Sequence, residues 1–440
     1  MNLRRQFFWA AAALITCGVL TVPAKGNDLD AKDVYMAGGK AGNLTVYPFV
    51  EAAPPVQTPV PKGYEPFHLE HYGRHGSRWL IGENDYLIPV RNLEKAEKAG
   101  KLTPLGEKTL AALRDMAESS KGRLSELTDK GALQHQAIGR RMAQNYPKIF
   151  NATADIDAKS TVVIRCILSM LNGLEGIQQV APDVKPTKDA SYADMWFMNY
   201  DDKPAWPNKD RAEEQFVKPY NEKLKGNMDF LDRLVTDRKF AEDSVAPGIM
   251  PYLYWVLGSM QGHEGKPWML EEVFSEDDLE NSWKSGNVFW YIHSGDTPMT
   301  NHRMPYTQRK LLGRMIEQTD SAIASKRPSA RLRYGHDGIL VNLVSLMEIE
   351  DYGKEVTDLD QLPDLNWRDY EIIPMAGNLQ LVFYRKPGST DPDNVLVKAL
   401  LNEREVRMPG TPVSGPYYSW KDLRKYYLDK LTDFETKFEE

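Results

Sequence analysis

The alternation of apolar and polar residues along the chain predicts short strands separated by helices. Residues 64–72 are rich in aromatic side chains and partly alternate, with Phe67 and Leu69 on one side and polar residues on the other. This pattern is typical of a strand. Other runs of apolar or β-branched residues are as long as a typical strand, and such residues are enriched in strands. We predict these further strands at residues 160–165, 330–334, 378–385 and 395–402, the first buried in the sheet and the last two at its edge.

Helical periodicity is strongest between these runs. The stretch from about residue 127 to residue 146 has residues recurring at helical spacing. We expect Gln134 and His135 to lie on its exposed surface. Other segments with this periodicity or with residues that start helices are predicted as helices at residues 103–116, 307–325 and 419–438.

The middle of the chain has a different pattern. Residues 170–306 are rich in glycine and tryptophan and contain no strong strand pattern, so we interpret them as a smaller, mainly helical inserted domain. The predicted fold is α/β, a mixed sheet with flanking helices built from residues 64–169 and 307–440. Residues 25–63, rich in glycine and proline, are predicted to form an extended N-terminal arm on the surface.

The first 24 residues have the pattern of a secretory signal. Arg4 and Arg5 precede the apolar run 7–20, and small residues follow at a cleavage site. The segment is too short for a stable membrane span. Residues 14–17 loosely resemble a lipoprotein box, but Thr16 is a poor fit before Cys17. We therefore expect secretion across the inner membrane into the periplasm rather than a lipid anchor.

Composition limits the class of protein. The 440 residues include 55 basic and 62 acidic side chains, with a formal net charge of −7, and suffice for one large or two ordinary domains. Loss of the signal segment would leave Cys166 as the only thiol, so no internal disulfide could form. The acidic balance argues against a nucleic-acid partner. A local basic pocket remains compatible with it.

Residues suited to binding an anion follow three of the predicted strands. They are Arg74, His75 and Arg78 after the first strand, Arg165 at the end of the second, and His336 and Asp337 after the strand at 330–334. In open α/β sheets, ligands bind outside the carboxyl ends of the strands, where residues distant in the chain can meet. Guanidinium groups match phosphate oxygens in geometry and charge. The sequence therefore predicts a phosphate site there.

Three short motifs carry a family resemblance. The sequence from Arg74 to Arg78, Arg-His-Gly-Ser-Arg, resembles the Arg-His-Gly-x-Arg signature of the histidine acid phosphatases, the larger branch of the histidine phosphatase superfamily. The Arg-Cys-x-x-Ser sequence at Arg165 resembles a phosphate-gripping stretch of that family. The residues His336 and Asp337 resemble the His-Asp motif that completes its site.

The resemblance implies hydrolysis of phosphate monoesters without a metal or other cofactor. His75 would attack phosphorus and form a phosphohistidine intermediate. Asp337 would protonate the leaving alkoxide and then help water to hydrolyse the intermediate. The remaining residues would hold the phosphate and offset its charge in the transition state. They are Arg74, Arg78, Arg165 and His336.

Two departures leave the substrate subgroup open. The family often has proline where Leu80 stands, and a small polar residue where Gly338 follows the His-Asp motif. Multiple inositol polyphosphate phosphatases resemble the chain in the tyrosine before Gly-Arg-His-Gly and in the Arg-Cys pair. They commonly use a His-Ala-Glu variant of the last motif, whereas Asp337 directly follows His336 here.

These motifs are compatible with three functions. The leading hypothesis is a secreted, metal-independent phosphomonoesterase acting on a small phosphate monoester. The alternative is an inositol polyphosphate phosphatase or phytase, which requires more cations around the pocket, with Lys266 and Arg303 as candidates. A phosphosugar-binding protein without activity is disfavoured, because binding alone requires neither His75 nor Asp337.

Overall fold

The computed structural model describes residues 39–50, 52–199, 209–226 and 228–438. Within them, the strands form one mixed sheet in the order β3-β2-β4-β1-β5-β6-β7, with β8 paired to β6. The strands are β1 (Glu65–Arg74), β2 (Asp155–Ser160), β3 (Thr187–Asp189), β4 (Ser329–Gly335), β5 (Asn378–Arg385), β6 (Leu396–Leu401), β7 (Arg404–Val406) and β8 (Tyr418–Ser419). The secretory signal predicted at residues 1–24 lies outside the described residues.

The centre of the sheet is parallel and its far side is antiparallel. β4 pairs in parallel with β1 and with β2, whereas β5 pairs antiparallel with β1 and β6 antiparallel with β5. The α/β mixed sheet predicted from the sequence is confirmed. Because β1, β2 and β4 run the same way, their carboxyl ends meet at one edge of the sheet.

Helices cover both faces of the sheet and fill most of the region between β3 and β4. In chain order they are α1 (Glu83–Lys98), α2 (Pro104–Ser119), α3 (Asp129–Asn145), α4 (Ile164–Val180), α5 (Met195–Met198), α6 (Lys209–Ala212), α7 (Lys218–Lys223), α8 (Phe230–Leu234), α9 (Arg238–Phe240), α10 (Tyr252–Ser259), α11 (Leu270–Val273), α12 (Glu276–Ser294), α13 (Arg309–Ala324), α14 (Asp337–Leu346), α15 (Asp369–Ile372) and α16 (Trp420–Phe438). No helix among the described residues is long and apolar enough to cross a bilayer.

The strand predicted at residues 160–165 is wrong in its position. β2 ends at Ser160, and α4 begins at Ile164. The β-branched residues between them span the extended turn from strand to helix, and Ile164 is exposed on the first helical turn. Strand propensity describes a fit to a pleated surface, so tertiary context can override it.

The prediction that residues 25–63 form a surface arm is wrong for residues 39–50, whereas residues 52–63 are mostly exposed and contain no helix or strand. Residues 39–44 form a short 3₁₀ helix, and Leu44, Tyr47 and Phe49 are buried. The Tyr47 hydroxyl donates a hydrogen bond to Glu403 Oε2 over 3.0 Å. This segment therefore packs as part of the core.

The region predicted as an inserted domain is mainly helical where it is described, but its first residues belong to the sheet layers. α4 runs continuously across residue 170, and β3 pairs with β2. The division of the chain into two domains stays a prediction.

Candidate active site

The carboxyl ends of the three central strands meet, as predicted. The His75 N–H donates to the Gly335 carbonyl over 2.9 Å, which joins the ends of β1 and β4. The Thr161 N–H donates to the Tyr334 carbonyl over 3.0 Å, which joins the ends of β2 and β4. This edge brings together all six residues predicted for the site, namely Arg74, His75, Arg78, Arg165, His336 and Asp337.

Arg74 is the most firmly held cation of the site. Its side chain is fully buried, and Nη2 lies 2.8 Å from Asp337 Oδ2. Nη1 donates to the carbonyls of Asn43 and Ile373 over 2.6 and 2.5 Å. Fixed partners at both ends of the fork give the guanidinium a single orientation.

The imidazole of His75 is held as a neutral base. Nδ1 lies 2.9 Å from the Gly76 carbonyl oxygen, which can only accept, so Nδ1 carries the proton and Nε2 carries the lone pair. Burial lowers the pKa of His75 well below 6.5, and the charges of Arg74, Arg165 and Arg78 lower it further. Nε2 is therefore available as a nucleophile.

Arg165 reaches the site from a helix instead of a strand end. It lies in the first turn of α4, and its Nη1 contacts the Ser125 side chain. Arg78 donates from Nη1 to the Trp79 carbonyl over 3.0 Å. Burial, together with Arg74, lowers the pKa of Arg78 to about 10. Among the described residues, neither Arg78 nor Arg165 forms a salt bridge with a carboxylate, so both charges are available to an anion.

His336 and Asp337 begin helix α14 at the end of β4. Asp337 Oδ1 accepts from the Gly338 N–H over 2.9 Å. Burial alone would raise the pKa of Asp337, but Arg74 and Arg78 hold it below its usual value. The His336 ring lies 5.9 Å from that of His75, and its Nε2 is 3.2 Å from Thr161 Oγ1. Burial, followed by the charge of Arg165, lowers the pKa of His336 to about 4.

The prediction that Gln134 and His135 lie on the surface is wrong, because both are buried. Gln134 Oε1 accepts from the Ser77 N–H, and its Nε2 donates to Ser77 Oγ, both over 2.9 Å. The His135 ring donates to the Arg74 carbonyl. The signal that could have shown this is helical phase, since Gln134 shares a face with Ile138 and Met142.

The loop after β1 lies directly against two helices. A Cβ on Gly131 of α3 would stand 2.3 Å from the Ser77 carbonyl oxygen, and one on Gly76 would stand 2.4 Å from the Gly131 carbonyl oxygen. Glycine is required where two backbones approach this closely. From α4, Ser169 Oγ accepts from the Gly76 N–H over 3.1 Å. The loop is thus fixed from both sides.

The site combines three guanidiniums, two imidazoles of lowered basicity and one carboxylate. This set can hold a phosphate group, attack it with a neutral nitrogen and exchange a proton with it. Among the described residues, no group of three or more His, Cys, Asp or Glu side chains is placed to bind a metal ion. Whether catalysis is independent of metals stays a prediction.

Known structures share this fold. The multiple inositol polyphosphate phosphatase of Bifidobacterium longum, in complex with inositol hexasulfate, matches with a TM-score of 0.70 and 18% identity, over 89% of this chain and 97% of its own. The phytase of D. castellii matches with a TM-score of 0.64 and 15% identity, over 90% and 85%. The phytase of Hafnia alvei, in complex with myo-inositol hexakis sulphate, matches with a TM-score of 0.51 and 12% identity, over 84% and 98%.

Family membership rests on sequence. No curated protein matches the chain significantly. The family described as the histidine phosphatase superfamily (branch 2) matches residues 74–402, from the arginine that ends β1 to the turn after β6. This range is three quarters of the chain and contains all six residues predicted for the site. The chain belongs to branch 2 of the histidine phosphatase superfamily.

Proposed function

We propose that this histidine phosphatase hydrolyses phosphate monoesters through a covalent intermediate on His75. The proposal rests on the hydrogen bond that His75 Nδ1–H donates to the Gly76 carbonyl. It leaves a neutral Nε2 among the charges of Arg74, Arg78 and Arg165. A binding protein would need the three cations but not this orientation of the imidazole.

In the first step, Nε2 forms a bond to phosphorus while the bond from phosphorus to the ester oxygen breaks. Arg74, Arg78, Arg165 and His336 offset the charge that spreads over the phosphoryl oxygens. Asp337 gives its proton to the leaving alkoxide, and the products are an alcohol and phosphohistidine. In the second step, Asp337 accepts a proton from water as the water oxygen attacks phosphorus, which releases inorganic phosphate and neutral His75.

The free site does not hold the proton that the first step needs. His75 is neutral and Asp337 is ionised by Arg74 and Arg78. A phosphate monoester has a second pKa near 6, so the monoanion that binds below this pH can bring the proton and transfer it to Asp337. We therefore expect kcat/KM to fall as the pH rises above about 6.

The substrate we propose is a small phosphate monoester, such as a sugar phosphate. The alternative is an inositol polyphosphate, which is supported by the inositol hexasulfate and hexakis sulphate bound to the structural relatives. Lys266, one of the cations considered for further phosphates, forms an ion pair with Asp115 and contacts Ser119. Its charge is already offset within the chain, which favours the smaller substrate.

We also propose that the enzyme needs no metal and is exported to the periplasm. Export is supported by the two arginines and the apolar run at residues 4–20. Metal independence is supported by the cations themselves, because three arginines can supply the charge that a metal ion would otherwise supply.

The test is phosphate release by the purified protein and by His75→Ala, with and without EDTA, from 4-nitrophenyl phosphate, a sugar phosphate and inositol hexakisphosphate. We expect turnover that EDTA leaves unchanged and that the substitution lowers by about 10⁴-fold or more. Turnover that survives in His75→Ala would remove the nucleophile. Tight phosphate binding without turnover by the wild type would favour the phosphosugar-binding alternative. The preferred substrate decides between the two enzymes.

A further inference from the structure

Asp369 is a buried carboxylate that the proposed reaction does not use. It is 1% exposed and is the first residue of α15. Its Oδ1 accepts from Trp283 Nε1 over 2.9 Å and from the Tyr370 N–H over 2.8 Å. The Asn43 N–H also donates to this carboxylate. Burying a carboxylate costs free energy unless hydrogen-bond donors surround it. The three donors here therefore suggest that the ionised side chain has a role at this position.

The contacts of Asp369 lead to the phosphate site. Arg74 Nη1 donates to two carbonyls, those of Asn43 and Ile373. Asn43 is bound through its N–H to the Asp369 side chain. The Ile373 N–H donates to the Asp369 carbonyl over 2.7 Å. Both carbonyls that bind this end of Arg74 therefore belong to residues bonded to Asp369, Asn43 through the carboxylate and Ile373 through the backbone alone.

The backbone before Asn43 is shaped for this contact. Gly42 has φ 55° and ψ −138°, a conformation that residues with a side chain rarely adopt. A Cβ on Gly42 would stand 3.2 Å from Asp369 Oδ2. Glycine at this position allows the chain to bend over the carboxylate and to present the Asn43 N–H to it.

We propose that Asp369 is a positioning residue of the phosphate site. Its carboxylate fixes Asn43, and the Asn43 carbonyl orients the Arg74 guanidinium so that Nη2 faces Asp337 and the substrate phosphate. The importance of Arg74 for turnover rests on the proposed function, but its role in holding inorganic phosphate can be tested without turnover. Loss of the Asp369 contacts should misplace a phosphate ligand without removing it.

The positioning depends on the ionised form of Asp369. Charged or titratable groups near the carboxylate are Arg74 from β1, Tyr254 from α10 and the adjacent Tyr370, while α12 contributes the neutral Trp283 and Asn287. Burial raises the pKa of Asp369 to about 6. Above this pH the carboxylate holds the Asn43 N–H by a charge-assisted hydrogen bond, and protonation weakens that bond.

The test compares wild type with Asp369→Asn by calorimetric binding of inorganic phosphate and by kinetics between pH 4.5 and 8. In the variant, the NH₂ group of the asparagine faces the N–H donors of Trp283, Tyr370 and Asn43, so at least one of these hydrogen bonds is lost. At pH 7.5 we expect about tenfold weaker phosphate binding and a 10- to 100-fold lower kcat/KM, since a shift near 1 Å can cost about 100-fold. The wild-type to variant ratio should fall toward one below about pH 5. Phosphate ionisation affects both proteins equally and cancels in this ratio.

A matched control is Asp157→Asn. This substitution removes a carboxylate from the buried Arg333, whose Nη2 lies 2.7 Å from Asp157 Oδ2, and it does not touch Arg74. It should lower the melting temperature but leave phosphate affinity unchanged. Gly42→Ala leaves Asp369 in place and should reproduce the weaker binding.

A lower melting temperature with wild-type phosphate affinity in Asp369→Asn would overturn the inference and leave a purely structural residue. An equal loss at every pH would overturn the dependence on the ionised carboxylate. Wild type that binds phosphate but turns nothing over would overturn the proposed function alone, because the phosphate affinities test the inference by themselves.

Discussion

The two sides of the phosphate site are built differently. On the inner side, Arg74 is fully buried, faces Asp337 and binds two backbone carbonyls. On the outer side, Arg78 and Arg165 are half-buried. Arg78 donates a hydrogen bond to the Trp79 carbonyl, and Arg165 donates to Ser125. The inner cation is therefore set in place before a ligand arrives, whereas the outer cations keep their charge for the ligand and can adjust to it.

The same contrast applies to the nucleophile and the acid. His75 and Asp337 are anchored on the inner side, at the ends of β1 and β4. A rigid inner side suits the chemical step, since preorganised groups need no rearrangement as charge develops. An adjustable outer side suits phosphate esters with different alcohol groups.

The largest expected effect is a difference between Arg74 and Arg165. Arg74→Ala would remove one phosphate donor and leave Asp337 without its cation, so we expect kcat/KM to fall by about 10³-fold. Arg74→Lys should recover little, because one ammonium cannot replace a fork that has partners at both ends. Arg165→Ala should lose about 100-fold, and Arg165→Lys should recover most of that. Steady-state kinetics at one pH measures all four variants.

Circular dichroism and the melting temperature are the controls for folding of these variants. Equal losses at the two positions, with equal rescue by lysine, would contradict the distinction between an inner and an outer side.

Much of the site followed from the sequence because its chemistry is local. The Arg-His-Gly-Ser-Arg loop and the His-Asp pair each stand directly after a strand, and strands of this kind are visible in the hydrophobic pattern. Parallel pairing of β1 with β4 then brings the two motifs together. The structure confirms the mixed α/β sheet, and the family comparison confirms the resemblance drawn from these motifs.

The supporting residues were predicted less well, because a polar side chain gives no sign of its partner. Gln134 has the polarity of a surface residue, yet its binding partner, Ser77, lies 57 positions earlier. Asp369 acts through Asn43, which lies in a segment that was expected on the surface. Such pairings depend on how distant parts of the chain pack, and neither composition nor periodicity encodes that.

The next largest effect is expected at Gln134, whose side chain binds Ser77 in the loop after β1. Gln134→Ala would leave the buried Ser77 N–H without a partner, which costs about 1–3 kcal/mol of stability. Because Ser77 follows His75 and Gly76, we expect kcat/KM to fall about tenfold as the loop loses its fixed geometry. Thermal unfolding and steady-state kinetics measure the two effects.

Gln136→Ala is the matched control, since it lies on the same helix and its amide donates to Asn172 over 2.8 Å, away from the loop. It should change neither quantity by more than a small amount. Similar results for Gln134→Ala and Gln136→Ala would show that the loop does not need this support.

The smallest effect concerns His135 and the free energy of unfolding of the protein in acid. Burial lowers the pKa of His135 to about 3, whereas its ordinary value is 6.5. Between these values the unfolded chain binds one more proton than the folded chain. The free energy of unfolding therefore decreases as the pH falls from 6.5 toward 3, by up to about 1.4 kcal/mol per pH unit for this group. His71, with a pKa also lowered to about 3 by burial, adds to this decrease.

His135→Gln removes the titrating group and keeps a side-chain donor for the Arg74 carbonyl. Its unfolding free energy, measured with urea at several pH values, should decrease less steeply in acid than that of the wild type, by about 1.4 kcal/mol per pH unit. The two proteins should differ least in slope above pH 7, where the histidine is neutral in both states. Parallel slopes between pH 4 and 6.5 would mean that His135 takes up its proton in the folded protein. The inner side would then tolerate a charge that its burial argues against.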